Sequence, residues 1–139
     1  MKAQKLNIES RTDQLVAVRE FVSQAALEFG FTDEEVSKIA LAVDEACTNI
    51  IKHAYKFDSR QRITISVREK NSAFEVSIRD SGLRFNPDEI EIPDMKEYLT
   101  YYRRGGLGMY LMKSLMDEVE YDIRPGKKNE VRMVKYRSR

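Results

Sequence analysis

The sequence of 139 residues contains one cysteine, one histidine and three prolines. With Cys47 as its single thiol, the chain can form no intrachain disulfide, the device that stabilises many small secreted domains. No run of apolar residues approaches the roughly 18 that a membrane helix needs, and residues 1–10 lack the apolar segment of a signal peptide. We therefore expect a cytoplasmic protein that does not contact a membrane.

The chain also lacks an excess of charge of either sign. It carries 24 basic and 23 acidic residues, for a formal net charge of +1. This balance argues against nucleic-acid binding through a strong overall positive field. The sequence shows no internal repeat and no linker-like tract, and its length fits one domain spanning residues 1–139.

The first third of the chain predicts a strand followed by two helices. Lys5–Ile8 alternates weakly and predicts the strand. Thr12 or Asp13 is suited to cap a helix that runs to about Phe29. Apolar residues recur through this segment at helical spacing, at Leu15, Val18, Phe21, Val22, Ala25 and Ala26.

The second helix carries a start signal and a buried stripe. Gly30 suits the end of the first helix, and Thr32 with Glu35 forms the pattern of a capping box. The stripe predicted to face the core consists of Val36, Ile39, Ala40, Val43, Ala46, Cys47, Ile50 and Ile51. We expect Cys47 to be a packing residue rather than a nucleophile, because the chain offers it no second histidine.

The rest of the chain predicts two hairpins separated by an irregular segment and a helix. Arg62–Lys70 alternates, and Phe74, Val76 and Ile78 do so after the turn-like pair at 71–72. Residues 84–104 show no period and are typical of a lid or binding loop. Met109–Met116 then predicts a helix. Two final strands are predicted at Val119–Ile123 and Val131–Tyr136.

Glu45 and Asn49 lie one helical turn apart on the second helix and could face one ligand. An amide oxygen is a hard neutral ligand that suits Mg²⁺, and a carboxylate one turn earlier could act as a base or orient water. The plain alternative is a solvated polar face.

Asp80 and Gly82 stand at the end of a predicted buried strand. The carboxylate could accept a hydrogen bond from the amine of adenine, and the glycine could let the backbone approach a flat ring. An ordinary strand-ending turn would use the same residues.

A glycine-rich segment follows the irregular region, with Gly105, Gly106 and Gly108 around Leu107 and with Arg104 directly before them. Glycines at a helix start reduce stability, but they let backbone amides converge on phosphate at the positive end of the helix dipole. A flexible hinge is the alternative.

In this order, the blocks resemble the motifs of the GHKL ATPases. The closer resemblance is to anti-sigma serine/threonine kinases of the RsbW and SpoIIAB type, and it runs from about Leu6 to Tyr136. The segment from Glu45 to Tyr55 is similar to their N box, the segment from Asp80 to Phe85 to their adenine motif, and the segment from Gly105 to Val119 to their glycine box and following helix.

The resemblance implies a fold, a ligand and partners. The fold would be α+β, a two-layer α/β sandwich of the Bergerat type with helices on one face of a mixed, mainly antiparallel sheet. ATP would bind with Asn49 on Mg²⁺, Asp80 and Gly82 at adenine, and the segment from Arg104 to Gly108 at the phosphates, with Glu45 as the base. The substrate would be a STAS-domain anti-anti-sigma protein, a sigma factor would be a second partner, and the chain would form a homodimer.

The sequence departs from the family pattern in two places. Leu83-Arg84 stands where many relatives have a further glycine, and Asn129-Glu130 replaces a common glycine-threonine pair. We therefore assign no adenine contact to the final hairpin.

Two other functions stay open at this point: a nucleotide-dependent binding regulator with little or no kinase activity, and a bare ATP-hydrolysing domain. A histidine kinase fragment fits less well, because the single histidine lies inside the N-box-like helix.

Overall fold

The computed structural model describes residues 2–51, 61–80, 112–123 and 129–137. The lid-like segment, the glycine-rich segment and the predicted final turn lie outside these residues. The described elements are β1 (Gln4–Glu9), a 3₁₀ turn (Thr12–Gln14), α1 (Leu15–Phe29), α2 (Asp33–Asn49), β2 (Arg62–Lys70), β3 (Ala73–Asp80), β4 (Glu118–Ile123) and β5 (Asn129–Lys135). Residues 112–115 are also helical. None of the helices in this part of the chain has both the length and the apolar character needed to cross a membrane.

The start of α1 differs from the prediction. The chain first makes the 3₁₀ turn, and neither Thr12 nor Asp13 caps the helix with its side chain. The carboxylate of Asp13 instead lies 3.2 Å from Nε of Arg11, so it is engaged in an ion pair at the surface. The predicted end is confirmed: Gly30 has a φ of 107°, a conformation that favours glycine, and its N–H donates to the last turn of the helix.

The capping box of α2 is confirmed. The N–H of Glu35 donates to Oγ1 of Thr32 at 3.2 Å, and the N–H of Thr32 donates to Oε1 of Glu35 at 3.1 Å. The predicted stripe needs one correction, because Ala40 is only partly buried and Ala42 is buried in its place. Ala42 lies three residues after one buried position and four before another, which puts it on the face that meets the core.

The predicted hairpin of β2 and β3 is confirmed. Its two turn residues, Asn71 and Ser72, have φ values of 52° and 66°. Positive φ at both positions is the signature of a type I′ turn, whose twist matches that of the strands. The register continues from the Lys70–Ala73 pair at the turn to the Ile63–Asp80 pair at the far end.

The five strands form one sheet in the order β1-β2-β3-β5-β4, and each of the four pairings among the described strands is antiparallel. Apolar residues of α1 and α2 share one core with one face of the sheet. That face is formed mainly by Ile8, Ile63, Ile65, Val67, Phe74, Val76, Ile78, Val131 and Met133. The expectation of a two-layer α+β fold with a mainly antiparallel sheet is thus confirmed.

The opposite face of the sheet is polar, and Glu130 is the centre of its hydrogen bonding. Its carboxylate accepts from Oγ of Ser77 at 2.6 Å and from Nε of Arg79 at 2.8 Å. Burial raises the pKa of Glu130, but these two hydrogen bonds and the charges of Arg79 and Arg132 outweigh it and hold the pKa below its ordinary value. Ionised Glu130 therefore helps to hold β3 and β5 together.

Candidate functional site

Asp80 is the last residue of β3 and lies on the face of the sheet that meets the helices. It is 3 % exposed, and the residues before it on the same face of β3, Phe74, Val76 and Ile78, are apolar and buried. Its register partner on β5 is Asn129, which is 0 % exposed. Nδ2 of Asn129 donates a hydrogen bond to Oδ1 of Asp80 at 3.1 Å. The core thus ends, between these two strands, in a hydrogen-bonded pair of polar side chains.

The bond explains how a carboxylate can be buried at this position. Removing a carboxylate from water costs free energy unless polar partners replace the lost solvent. A carboxylate oxygen only accepts and an amide nitrogen only donates, so this bond replaces part of the solvation that each group loses. Asp80 is therefore held as an acceptor inside the protein, as a site for a hydrogen-bond donor on a ligand requires.

A small cavity lies beside Asp80. Its volume is about 10 Å³, enough for about one water molecule. It is lined by residues of α2, β3, β4, β5 and the helical segment 112–115: Ala46, Ile50, Ile78, Asp80, Met112, Tyr121 and Val131. The fold thus places one side of α2 against the end of β3 that carries the buried carboxylate.

Glu45 and Asn49 directly precede two residues that line this cavity, Ala46 in α2 and Ile50 directly after the end of α2. Successive helical residues are about 100° apart around the axis, so these two polar side chains point more than a quarter turn away from those that line the cavity. Both are partly exposed, whereas Ala46 and Ile50 are buried. Glu45 and Asn49 are thus neighbours in sequence of residues in the wall that contains Asp80, and a site shared by all three stays a prediction.

The other predicted site residues lie outside the described residues. These are Gly82, Arg104, Gly105, Gly106, Leu107 and Gly108. Their roles at adenine and the phosphates therefore stay predictions.

Within the described ranges, no group of three or more histidine, cysteine, aspartate or glutamate side chains is placed to hold a metal ion. A magnesium site at Asn49 would use the amide oxygen together with phosphate oxygens and water, which is a usual arrangement for this ion.

Sequence reasoning did not identify Asn129 as the hydrogen-bond partner of Asp80. The departure from a glycine-threonine pair was visible, but the contact with Asp80 depends on the register of β5 against β3. It also missed Tyr121, which lines the cavity and whose pKa burial raises to about 12.

The expectation for Cys47 is confirmed. The side chain is fully buried in the core, and burial, aided by the nearby charge of Asp44, raises its pKa to about 12. A thiol in this state is unreactive.

Comparison with known proteins gives a consistent result. The profile of the histidine kinase-like ATPase domain matches residues 8–135. The serine-protein kinase RsbW of Bacillus subtilis is 32% identical over 137 residues, which cover 95% of this chain and 84% of the relative.

Two solved structures have the same fold. One contains the RsbU and RsbW domains of a protein from Mycobacterium tuberculosis. It matches with a TM-score of 0.71 and 15% identity, over 100% of this chain and 33% of that longer one. The other is the SiaB–SiaC complex of Pseudomonas aeruginosa, with a TM-score of 0.68 and 13% identity, over 94% of this chain and 88% of the matched one.

Proposed function

Because this chain belongs to the histidine kinase-like ATPase domain family, and within it to the RsbW type, we propose that it is a protein serine/threonine kinase. Its substrates would be ATP and a small STAS-domain anti-anti-sigma protein. The match covers most of both chains, so the proposal concerns the whole catalytic domain.

The position of Asp80 supports an ATP site in this chain independently of the family assignment. The buried carboxylate of Asp80 lies in a cavity wall next to the helix that carries Glu45 and Asn49. A buried acceptor suits the exocyclic amine of adenine, since a donor on the ligand strengthens its binding where water is excluded. We propose that adenine binds at this end of the domain with its exocyclic amine directed at Asp80 and with Gly82 against the ring.

The phosphates would then extend from this end of the domain toward the segment from Arg104 to Gly108. Mg²⁺, when bound, neutralises charge on the phosphates, and Asn49 would be its ligand from the chain. Glu45, one turn earlier on α2, would accept the proton of the attacking hydroxyl group. Phosphoryl transfer depends chiefly on such positioning and charge stabilisation, so three groups on a rigid helix and strand suit it.

We further propose that the kinase works in a partner-switching module. In that arrangement the chain holds a sigma factor inactive. The STAS protein, once phosphorylated, can no longer displace the sigma factor from this chain. The chain would act as a homodimer in the cytoplasm, without direct contact with nucleic acid.

Asp80→Asn tests the adenine contact directly. The variant keeps the size of the side chain, but its amide offers one oxygen rather than two and its nitrogen repels a donating amine. We expect a loss in ATP affinity of about tenfold or more, measured by calorimetry, because hydrogen bonds to charged groups are worth about 1.5–3 kcal/mol.

Asp122→Asn is the matched control, because it makes the same chemical change on β4 at a residue that pairs with Glu130 in the register and does not line the cavity. Equal affinities of Asp80→Asn and the unaltered chain would exclude the adenine contact. Tight ATP binding without transfer to a cognate STAS protein would instead support a nucleotide-dependent binding regulator.

A further inference from the structure

Asn129 is the buried polar residue of β5 on the face that meets the helices. The next residues on that face of the strand are Val131 and Met133, both apolar and both buried. An asparagine at this position loses its water and needs partners for its amide. One of these partners is the carboxylate of Asp80, at 3.1 Å.

The hydrogen bond limits the freedom of the carboxylate. A free aspartate side chain turns readily about its terminal bond, since that torsion has a broad minimum. The bond from the amide on β5 to Oδ1 restrains this rotation and so narrows the range of directions open to Oδ2. The two residues are also the last register pair of β3 and β5, so the strands themselves hold the two side chains opposite each other.

We infer that Asn129 is a positioning residue that aims the carboxylate of Asp80 and thereby sets the preference of the site for adenine. The inference rests on the proposed ATP site and adds to it a residue to which the sequence assigned no role. Asn129 acts through Asp80 and not on the phosphates. Its loss should therefore affect recognition of the base more than the contribution of the triphosphate.

The ligand pair that isolates this effect is ATP and purine riboside triphosphate. The two differ only in the exocyclic amine, the group that Asp80 would accept from. The ratio of their affinities therefore reports the quality of that one contact. A merely structural role for Asn129 would lower stability or both affinities together and would leave the ratio unchanged.

The variant Asn129→Leu keeps the approximate size of the side chain and removes the donor. We expect the unaltered chain to prefer ATP by about tenfold or more, and Asn129→Leu to reduce this ratio to within about twofold of unity. Met133→Val is the control, because it alters a buried side chain of the same strand that does not line the cavity. It should keep the full ratio. If Asn129→Leu does not fold, Asn129→Ala removes the same donor with a smaller side chain and carries the same expectation.

Three other results would contradict, in turn, the role of Asn129, the adenine contact of Asp80 and the proposed function. An undiminished ratio in a folded Asn129 variant would overturn the inference and leave the ATP site intact. A ratio near unity in the unaltered chain would show that Asp80 does not read the amine, which ends the inference while kinase activity could stand. Absence of binding by both nucleotides to the unaltered chain would refute the proposed function itself.

Discussion

Replacement of Glu130 by glutamine should weaken the fold at neutral pH and leave it unaffected in acid. The carboxylate accepts from Ser77 and Arg79 across the β3–β5 pairing, and Arg132 lies 3.8 Å away on the same strand. Glutamine has the same size but one acceptor oxygen, and its amide nitrogen would face a donor. The change therefore removes a charge and at least one hydrogen bond from the polar face of the sheet.

The expected loss of stability can be worked out from the exposure of the groups that contact Glu130. Glu130 is only 18% exposed, but the side chains of Arg79 and Arg132 are 43% and 38% exposed, so water screens both ion pairs. Such pairs contribute about 0.2–1 kcal/mol each. The hydrogen bond from Ser77 to an ionised acceptor adds about 1 kcal/mol. We expect Glu130→Gln to lower the free energy of unfolding by about 1–2 kcal/mol near neutral pH.

The lowered pKa of Glu130 determines how its contribution to stability changes with pH. The pKa of Glu130 in the folded chain is lowered from an ordinary value of 4.5. Its contribution to stability is therefore complete above that value and disappears as the pH falls through the lower, folded pKa. Urea unfolding curves, recorded from about pH 7 downward, should show the two chains converging in acid.

Glu120→Gln is the control for this experiment. Glu120 is 66% exposed and pairs with Arg132 at 3.1 Å, so its replacement should cost less than about 0.5 kcal/mol. A difference between Glu130→Gln and the unaltered chain that stays constant with pH would refute the reasoning, as would one that grows in acid.

Three further predictions concern the helix α2 and the proposed lid. Asn49→Ala should abolish the magnesium dependence of ATP affinity in calorimetry, and it should not weaken α2, since alanine is a better helix former. Cys47 should react with thiol reagents only when the chain unfolds, because it is fully buried and its pKa is raised to about 12. Residues 86–104, which lie outside the described part of the chain, should exchange their amide hydrogens more slowly with ATP than with ADP, because the γ-phosphate adds contacts.

Each of these predictions has a clear contrary result. Unchanged magnesium dependence in Asn49→Ala would remove Asn49 from the metal site. Labelling of Cys47 faster than global unfolding under native conditions would show that α2 opens locally. Equal protection of residues 86–104 in the two nucleotide states would exclude a lid that reads the γ-phosphate.

Features that depend on a few neighbouring residues were predictable from the sequence. The capping box joins Thr32 to Glu35 within one turn, and both of its hydrogen bonds are present. The turn at Asn71 and Ser72 follows from residues that tolerate positive φ between two alternating segments. The cap expected at Thr12 or Asp13 was wrong, because the chain makes a 3₁₀ turn there before α1 begins, and the carboxylate of Asp13 pairs with Arg11 instead.

Features that depend on strand order were not predictable in the same way. Asp80 was identified from its place after a buried strand, but its partner Asn129 is 49 residues away. Their contact requires β5 to pair with β3 inside the sheet, with β4 at the edge. No local pattern in the sequence specifies that order, so the residue that orients Asp80 became visible only in the folded chain.

The most direct test of the account is phosphoryl transfer from ATP to a cognate STAS protein, followed by mass spectrometry. The account predicts one added phosphate on a serine or threonine of the STAS protein when Mg²⁺ and this chain are present. It also predicts that Glu45→Gln retains ATP affinity within a few fold and loses most of the transfer, because a base acts mainly in the transition state. Full transfer by Glu45→Gln would remove Glu45 as the base. Tight ATP binding by the unaltered chain with no phosphate on any cognate STAS protein would contradict the kinase itself.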